Sequence, residues 1–196
     1  VGAGALTWQQ YGGVHPAPYG NAICARMIDD LFEREWAAPL AVGCAAKPKP
    51  LPEPLDPLSY GDGRFVAPSE AKVKGGWTLG VTDWKSLPGG KRERFTSVPM
   101  LCATEPGAEL TLTFVGTAVG AFVVAGPDAG IAEASVDGGA FKPVDLLHAY
   151  SAGLHYPRTV LFGSALAPGR HVLTLRVSAE TRGKGHAARI LQFVAN

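Results

Sequence analysis

A histidine in a loop directly before a predicted helix is the residue of this sequence best suited to acid–base chemistry. His15 lies in the stretch 11–21, which reads YGGVHPAPYGN. A serine hydroxyl is a weak nucleophile that needs an adjacent base, and a loop at the start of a helix can present an imidazole to it. The alternative is structural: a single histidine often packs near a helix start, with Pro16 and Gly20 shaping the turn.

A nucleophile to accompany His15 is not recognisable in the sequence. No G-x-S-x-G elbow occurs, and Gly163-Ser164 lies inside a predicted strand. The other four histidines are isolated among predicted strands and loops, and we expect none of them to be catalytic: His148, His155, His171 and His186. On spacing alone, the structural interpretation of His15 is the stronger one, because single histidines are usually structural.

The cysteines do not indicate a metal site. Cys24, Cys44 and Cys102 form no CxxC pair and have no histidine at metal-ligand spacing. The odd count leaves open either one disulfide with one free thiol or three reduced thiols. We expect no metal and no other cofactor.

The element that positions His15 is an amphipathic helix predicted over residues 19–36. Apolar residues recur there at the three-to-four spacing of one helical face: Ile23, Met27, Ile28, Leu31, Phe32 and Trp36. Asn21 is the predicted N-cap, and Pro39 lies just beyond the end. No second helix is predicted to cover the apolar face. The helix either docks on the rest of the chain or belongs to a domain whose remainder precedes Val1, and the non-methionine start favours the second.

The remainder of the chain divides into a proline-rich linker and a region of strands. Proline alternates with other residues over 47–54, which favours an extended segment, and we place the linker at 39–58. Beyond it, short β-rich runs separated by turn residues predict an antiparallel, jelly-roll-like β-sandwich over 59–196. The predicted strands are 110–114, 118–125, 131–136, 159–166, 171–177 and 187–194.

The stretch around His15 resembles the last sequence block of the SGNH (GDSL-type) hydrolases. In that block a D-x-x-H-P-x-x-x-G pattern leads into the C-terminal helix, and His15, Pro16 and Gly20 match it. The resemblance implies an α/β/α catalytic domain, to which residues 1–38 contribute, and a serine esterase with His15 as general base. Gly12 stands where the family has the aspartate that orients the imidazole. The resemblance also implies that the nucleophilic serine lies on an N-terminal polypeptide, because the corresponding blocks are absent here.

The strand region resembles the jelly-roll-like accessory domains of bacterial esterases and glycoside hydrolases that act on polysaccharides. The stretches that carry the likeness are 114–120, 126–130, 136–139 and 166–171. Trp77 and Trp84 lie in a loop-rich segment and are candidate sugar-binding residues, since exposed indoles stack on sugar faces. The alternative, which we prefer, is that both fill the core or a domain seam. The segment 155–158 is a further candidate to reach a neighbouring active site.

Composition excludes several classes of protein. The 196 residues are 46% hydrophobic and 18% charged, which gives enough apolar material for a folded core. A net charge of +1 is unlike that of nucleic-acid-binding proteins. No apolar run is long enough for a transmembrane helix.

The sequence thus predicts the C-terminal part of an SGNH-type esterase that removes acyl groups, acetyl above all, from a carbohydrate. The expected partners are an N-terminal portion with the catalytic serine and a poly- or oligosaccharide substrate. The resemblance implies a secreted or periplasmic enzyme. The competing hypothesis is a non-catalytic carbohydrate-binding or interaction module, in which the helix simply packs on the sandwich.

Overall fold

The protein divides into two compact units, Val1–Pro52 and Glu53–Asn196. The computed structural model describes residues 6–39, 43, 50–56 and 61–196. The division between the units falls within the segment predicted as a linker. Much of that linker, with Cys44, lies outside the described residues, while residues 50–56 are exposed and belong to no helix or strand.

The described part of the first unit contains two helices, α1 (Trp8–Tyr11) and α2 (Pro18–Glu35). The prediction of an amphipathic helix over 19–36 is confirmed to within one residue at each end. The predicted N-cap is wrong: Ala17 holds that position and Pro18 follows it. A proline at the first helical position has its φ angle already set and lacks only an N–H that the helix would not use, so it begins the helix before Asn21.

The second unit is an antiparallel β-sandwich, which confirms the predicted fold class. Its strands are β1 (Arg64–Val66), β2 (Lys72–Gly75), β3 (Thr78–Gly80), β4 (Met100–Ala103), β5 (Glu109–Gly116), β6 (Val119–Ala125), β7 (Ile131–Val136), β8 (Lys142–Asp145), β9 (Tyr156–Gly163), β10 (Gly169–Val177) and β11 (Ala188–Ala195). One sheet has the order β3-β4-β11-β6-β9, with β1 also paired to β11, and the other has the order β2-β5-β10-β7-β8. Six of these strands match the six predicted runs.

The core between the sheets follows the alternation of the central strands. In β5 the residues Leu110, Leu112 and Phe114 face inward, and β10 supplies Leu173 and Leu175 in the same way. Each inward side chain is removed from water, at roughly 1.5–3 kcal/mol for a large apolar residue. The two sheets are therefore held together chiefly by these alternating rows.

A smaller apolar cluster covers the outer face of the first sheet. It is formed by Phe95, Met100 and Val124, with four half-buried neighbours packed on it: Trp84, Cys102, Phe122 and Leu191. Phe95 belongs to α3 (Glu93–Thr96), a single helical turn that the sequence did not predict. The residues between β3 and β4 thus fold back over β6, which explains why β6 is buried along both faces.

Candidate functional site

The loop that carries His15 is held between the two helices of the first unit. Thr7 caps α1 by accepting from the Gln10 backbone N–H at 3.1 Å, while its own N–H donates to the Gln10 side chain at 2.8 Å. At the other end of the loop, the Ala17 N–H donates to the Tyr11 carbonyl at 3.0 Å. The five residues from Gly12 to Pro16 therefore form a closed turn from the end of α1 to the N-cap of α2.

Two glycines make this close approach possible. Gly12 ends α1 with φ +102°, and a Cβ on it would lie 2.1 Å from the Ala17 nitrogen. Gly20 is buried in the first turn of α2, and a Cβ there would lie 2.2 Å from the Tyr11 carbonyl oxygen. Any side chain at either position would force the backbone apart. Gly20, the glycine of the sequence motif, thus allows the first turn of α2 to pack closely against the end of α1.

The same geometry accounts for the departure from the hydrolase pattern at position 12. An aspartate there would need both a left-handed backbone and space that the Ala17 backbone occupies. This loop conformation therefore does not accommodate an aspartate at position 12. The two helices are also connected by a side-chain contact: the Tyr11 hydroxyl of α1 and the Cys24 thiol of α2 are 3.0 Å apart.

His15 is exposed at the apex of this loop, and its imidazole makes no hydrogen bond to any residue that the structure describes. The first unit, residues 1–52, contains no serine. The loop thus presents the imidazole of His15 to solvent, and its own unit supplies no serine for it to act on. Such a group is able to accept a proton from a hydroxyl that another element supplies.

The apolar face of α2 is uncovered. Gly20 is the only fully buried residue of the helix, and six large side chains are between 43% and 72% exposed: Tyr19, Met27, Ile28, Leu31, Phe32 and Trp36 at its end. The rings of Phe32 and Trp36 stack at 4.6 Å. An exposed apolar stripe of this kind is typical of a surface that another protein layer covers.

The two tryptophans predicted as sugar-binding candidates lie inside the sandwich unit. Trp77 is 6% exposed and belongs to the core between the sheets, so its placement favours the core alternative. Trp84 is half-buried in the outer cluster, where its ring meets the edge of His155 at 5.0 Å. The guanidinium of Arg189 lies 5.9 Å from the same ring. Neither indole is presented as a free platform for a sugar.

The two polar side chains next to the Trp84 ring, those of Arg189 and His155, are buried. Arg189 donates two hydrogen bonds to the Asp128 carboxylate, at 2.9 and 2.6 Å. Burial favours the neutral form of Asp128, but the hydrogen bond and charge of Arg189 outweigh it and hold the pKa of that carboxyl below its usual range. His155 is buried, its Nε2 lies 3.0 Å from the Pro88 carbonyl, and burial lowers its pKa. Burial thus favours the neutral form of this imidazole.

Three further aromatic rings group together in a feature that we call the aromatic cleft, with Tyr150 exposed and His148 and Tyr156 half-buried. His148 and Tyr156 stack at 4.8 Å, and Tyr150, 65% exposed, lies 5.3 Å from both rings. Beside them is a cleft of about 600 Å³. Its lining consists of Pro127, Leu147, His148, Ala149, Ala152, Arg182, Gly183 and Lys184.

The sequence analysis missed this cleft except for the segment 155–158, which includes Tyr156. The sequence signal for this cleft was weak because the rings belong to two different elements. His148 and Tyr150 belong to a single-turn helix and its cap, and Tyr156 lies at the start of β9. Among the described residues, no group of three His, Cys, Asp or Glu side chains is placed to hold a metal ion. In the same part of the chain, no helix combines the length and the apolar character needed to cross a bilayer.

Comparison with known proteins finds similarity at the level of structure. No family model matches the sequence, and no curated protein matches it either. The whole chain superposes on a crystal structure of a two-domain esterase active on acetylated mannans, co-crystallised with mannopentaose, with a TM-score of 0.70 and 17% identity. A second structure of a two-domain esterase active on acetylated mannans gives a TM-score of 0.70 and 18% identity.

At this level of identity the likeness establishes the fold. This chain spans about half of those esterases, 51% and 52% of their length. The match covers 100% of this chain, so it includes the loop and helices of the first unit as well as the sandwich.

Proposed function

We propose that this chain is the C-terminal part of a two-domain carbohydrate esterase of the SGNH type, with His15 as its general base. The observation that carries the proposal is the exposed His15 on the loop before α2, in a chain that superposes over its whole length on half of a two-domain esterase. The sequence motif around His15 and the absence of serine from the first unit support the same assignment.

The proposed reaction is removal of an acyl group, acetyl in the first instance, from a polysaccharide or oligosaccharide. The serine comes from an N-terminal portion of the enzyme and attacks the ester carbonyl while His15 takes its proton. The protonated imidazole then gives this proton to the departing sugar oxygen. In the second half of the reaction His15 activates a water molecule, which hydrolyses the acyl-enzyme and frees the serine.

The uncovered face of α2 is the surface that the N-terminal portion would occupy. The exposed apolar side chains from Tyr19 to Trp36 extend along the helix that follows His15. Burying that row would fix α2 against the layer that carries the serine and so set the distance between hydroxyl and imidazole. We propose that the complete enzyme acts outside the cytoplasm, in the secreted or periplasmic space, where such a polysaccharide is accessible.

The test of this proposal is acetate release from an acetylated mannan. We expect no release by the 196-residue chain alone, and catalytic release when the same chain is joined to or combined with the N-terminal portion. Catalysis by the chain alone would place the nucleophile within it and overturn the division of the site. Failure of the complete protein to release acetate would overturn the esterase assignment.

A second candidate function, carbohydrate binding by the sandwich, is favoured by the aromatic cleft. Loss of one stacking ring typically weakens an interaction by about 0.5–1.5 kcal/mol, or roughly 2- to 12-fold in Kd. Tyr150→Ala is therefore expected to weaken retention of the chain by an insoluble mannan by that factor. Phe65→Ala is the control, since Phe65 is an equally exposed ring on β1. Equal retention of both variants would contradict a binding role for the cleft.

A further inference from the structure

His171 connects two turns at one end of the sandwich. Its Nδ1 lies 2.6 Å from the carboxylate of Asp137, in the turn between β7 and β8. Its Nε2 lies 2.8 Å from the carbonyl oxygen of Ala167, in the turn between β9 and β10. The ring also packs on Phe114 of β5, with a centroid distance of 5.4 Å. One side chain thus holds together two turns that are about 30 residues apart along the chain.

Both partners of the imidazole are hydrogen-bond acceptors. A neutral imidazole carries one N–H and therefore satisfies either the carboxylate or the carbonyl, leaving a lone pair against the other. Only the imidazolium, with an N–H on each nitrogen, donates to Asp137 and Ala167 together. The geometry consequently selects the charged form of His171.

The two turns that His171 joins each contain a non-glycine residue in the left-handed region. Asp137 has φ +52° and Ala165 has φ +54°, and these are the only non-glycine residues with positive φ in the described part of the chain. Such backbone conformations persist where surrounding contacts enforce them. Asp137 is held further by the Val172 N–H, which donates to its carboxylate at 2.8 Å. Its own N–H also donates to the Val172 carbonyl at 2.8 Å, so loss of the bond to His171 would leave each turn held only by its remaining hydrogen bonds.

These turns also border a cleft of about 520 Å³ at the open edge of the sandwich. Gly139 and Ala140 contribute from the first turn, and Ser164 and Leu166 contribute from the second. Release of either turn would change the width of this cleft.

We propose that His171 is a pH-sensitive latch: as an imidazolium it joins the β7–β8 turn to the β9–β10 turn, and on deprotonation it releases one of them. Of the elements packed against the ring, the β7–β8 turn supplies the carboxylate of Asp137. The segment Ser164–Gly169 has no titratable side chain, and β5 faces the ring with Phe114. On β10 itself, Arg170 lies on the opposite face of the strand.

The direction of the pH dependence follows from these partners. The hydrogen bond to Asp137, followed by that to Ala167, raises the pKa of His171. The contribution of the latch to stability is thus complete below the ordinary histidine pKa of about 6.5 and is lost as the pH rises through the raised value. The bond to His171 lowers the pKa of Asp137 in turn, so that its contribution disappears only as the pH falls through that lowered value. The latch is closed between these two transitions.

The experiment combines an NMR titration of the His171 ring with hydrogen exchange at the two turns. The reporter amides are those of Gly139 and Leu166, which donate to Val136 and Thr117. We expect His171 to titrate above its ordinary pKa, and exchange at both amides, corrected for the intrinsic rate, to increase through the same pH range. The opening equilibrium changes up to tenfold for each unit of pKa separation.

Two variants distinguish a latch from a purely structural contact. Asp137→Asn keeps an acceptor at the turn but removes the charge, and is expected to move both the ring titration and the turn opening to lower pH. His171→Gln is expected to abolish the pH dependence of opening. His186→Gln is the matched control, since His186 makes its hydrogen bond through one nitrogen, to the Ser178 carbonyl. A turn opening whose pH dependence survives in His171→Gln, or a wild-type His171 that titrates at or below its ordinary pKa, would overturn the proposal.

Discussion

Replacing His15 by alanine in the complete enzyme is expected to lower kcat for acetate release by about 10²–10⁴-fold, the usual contribution of a positioned general base. KM should change little, because the imidazole acts on the serine hydroxyl and not on the sugar. His15 is exposed, and its ring forms no hydrogen bond within the described residues, so the substitution should leave the free energy of unfolding unchanged. Initial rates over a range of acetylated substrate, together with a thermal unfolding curve, measure both quantities.

Val14→Ala is the control for this experiment. Val14 precedes His15 in the same loop and is also exposed, so its truncation perturbs the loop surface without removing the imidazole. We expect its kcat to stay within about twofold of the wild-type value, which is well inside the effect of losing a general base. Full turnover by His15→Ala would show that another group is the base. Equal losses in both variants would show that the loop matters only for its shape.

The sequence was sufficient to predict α2 and the loop before it because both depend on local patterns. The three-to-four spacing of apolar residues predicted α2, and the His-Pro pair marked the loop before it. The position of the N-cap was missed because Asn21 has the stronger capping preference, whereas the start of the helix is decided by Pro18. The packing role of Gly20 was also not predictable, because its close approach to the Tyr11 carbonyl depends on how α1 packs against α2.

The same distinction explains which strands were predicted. The central strands β5 and β10 alternate buried and exposed residues and are long, so their sequences show the period. The missed strands β1, β2, β3, β4 and β8 have only three or four residues each. All four residues of β2 are exposed, and β8 contains Pro143, which is tolerated at a sheet edge. A period cannot be recognised in such short segments.

The aromatic residues show why the exposure of a side chain is harder to predict than the fold. Trp77 and Trp84 lie in a segment that reads as a loop, yet this segment packs Trp77 into the core, the preferred alternative, and folds Trp84 over the outer face of a sheet. At the aromatic cleft, His148 and Tyr150 are local neighbours, whereas Tyr156 joins them from β9 through the tertiary structure. Whether a ring is buried or free depends on which chain segment covers it, and composition contains no information about that.

The largest stability effect is expected at the buried pair of Asp128 and Arg189. The Arg189 side chain is 3% exposed, and its guanidinium is matched by two hydrogen bonds to a single carboxylate. Removing one partner of such a pair leaves an isolated charge in a medium that solvates it poorly. By contrast, Arg176 and Glu133 form an ion pair with side chains that are 41% and 23% exposed. The two ion pairs thus differ in the burial of the cation, and Glu133 in addition accepts from the Ser178 hydroxyl at 3.0 Å.

Asp128→Ala is thus expected to lower the free energy of unfolding by about 3–5 kcal/mol, whereas Glu133→Ala should lower it by less than about 1 kcal/mol. Urea unfolding followed by tryptophan fluorescence measures both, and Trp84 reports directly because Arg189 lies over its ring. Acid should remove the same contribution from the wild type: the stability due to Asp128 is complete above its ordinary pKa of about 3.9 and is lost as the pH falls through the lowered value. Similar losses of unfolding free energy in the two alanine variants would mean that water reaches Arg189 once its carboxylate partner is removed. Burial of the cation would then not determine the loss of stability.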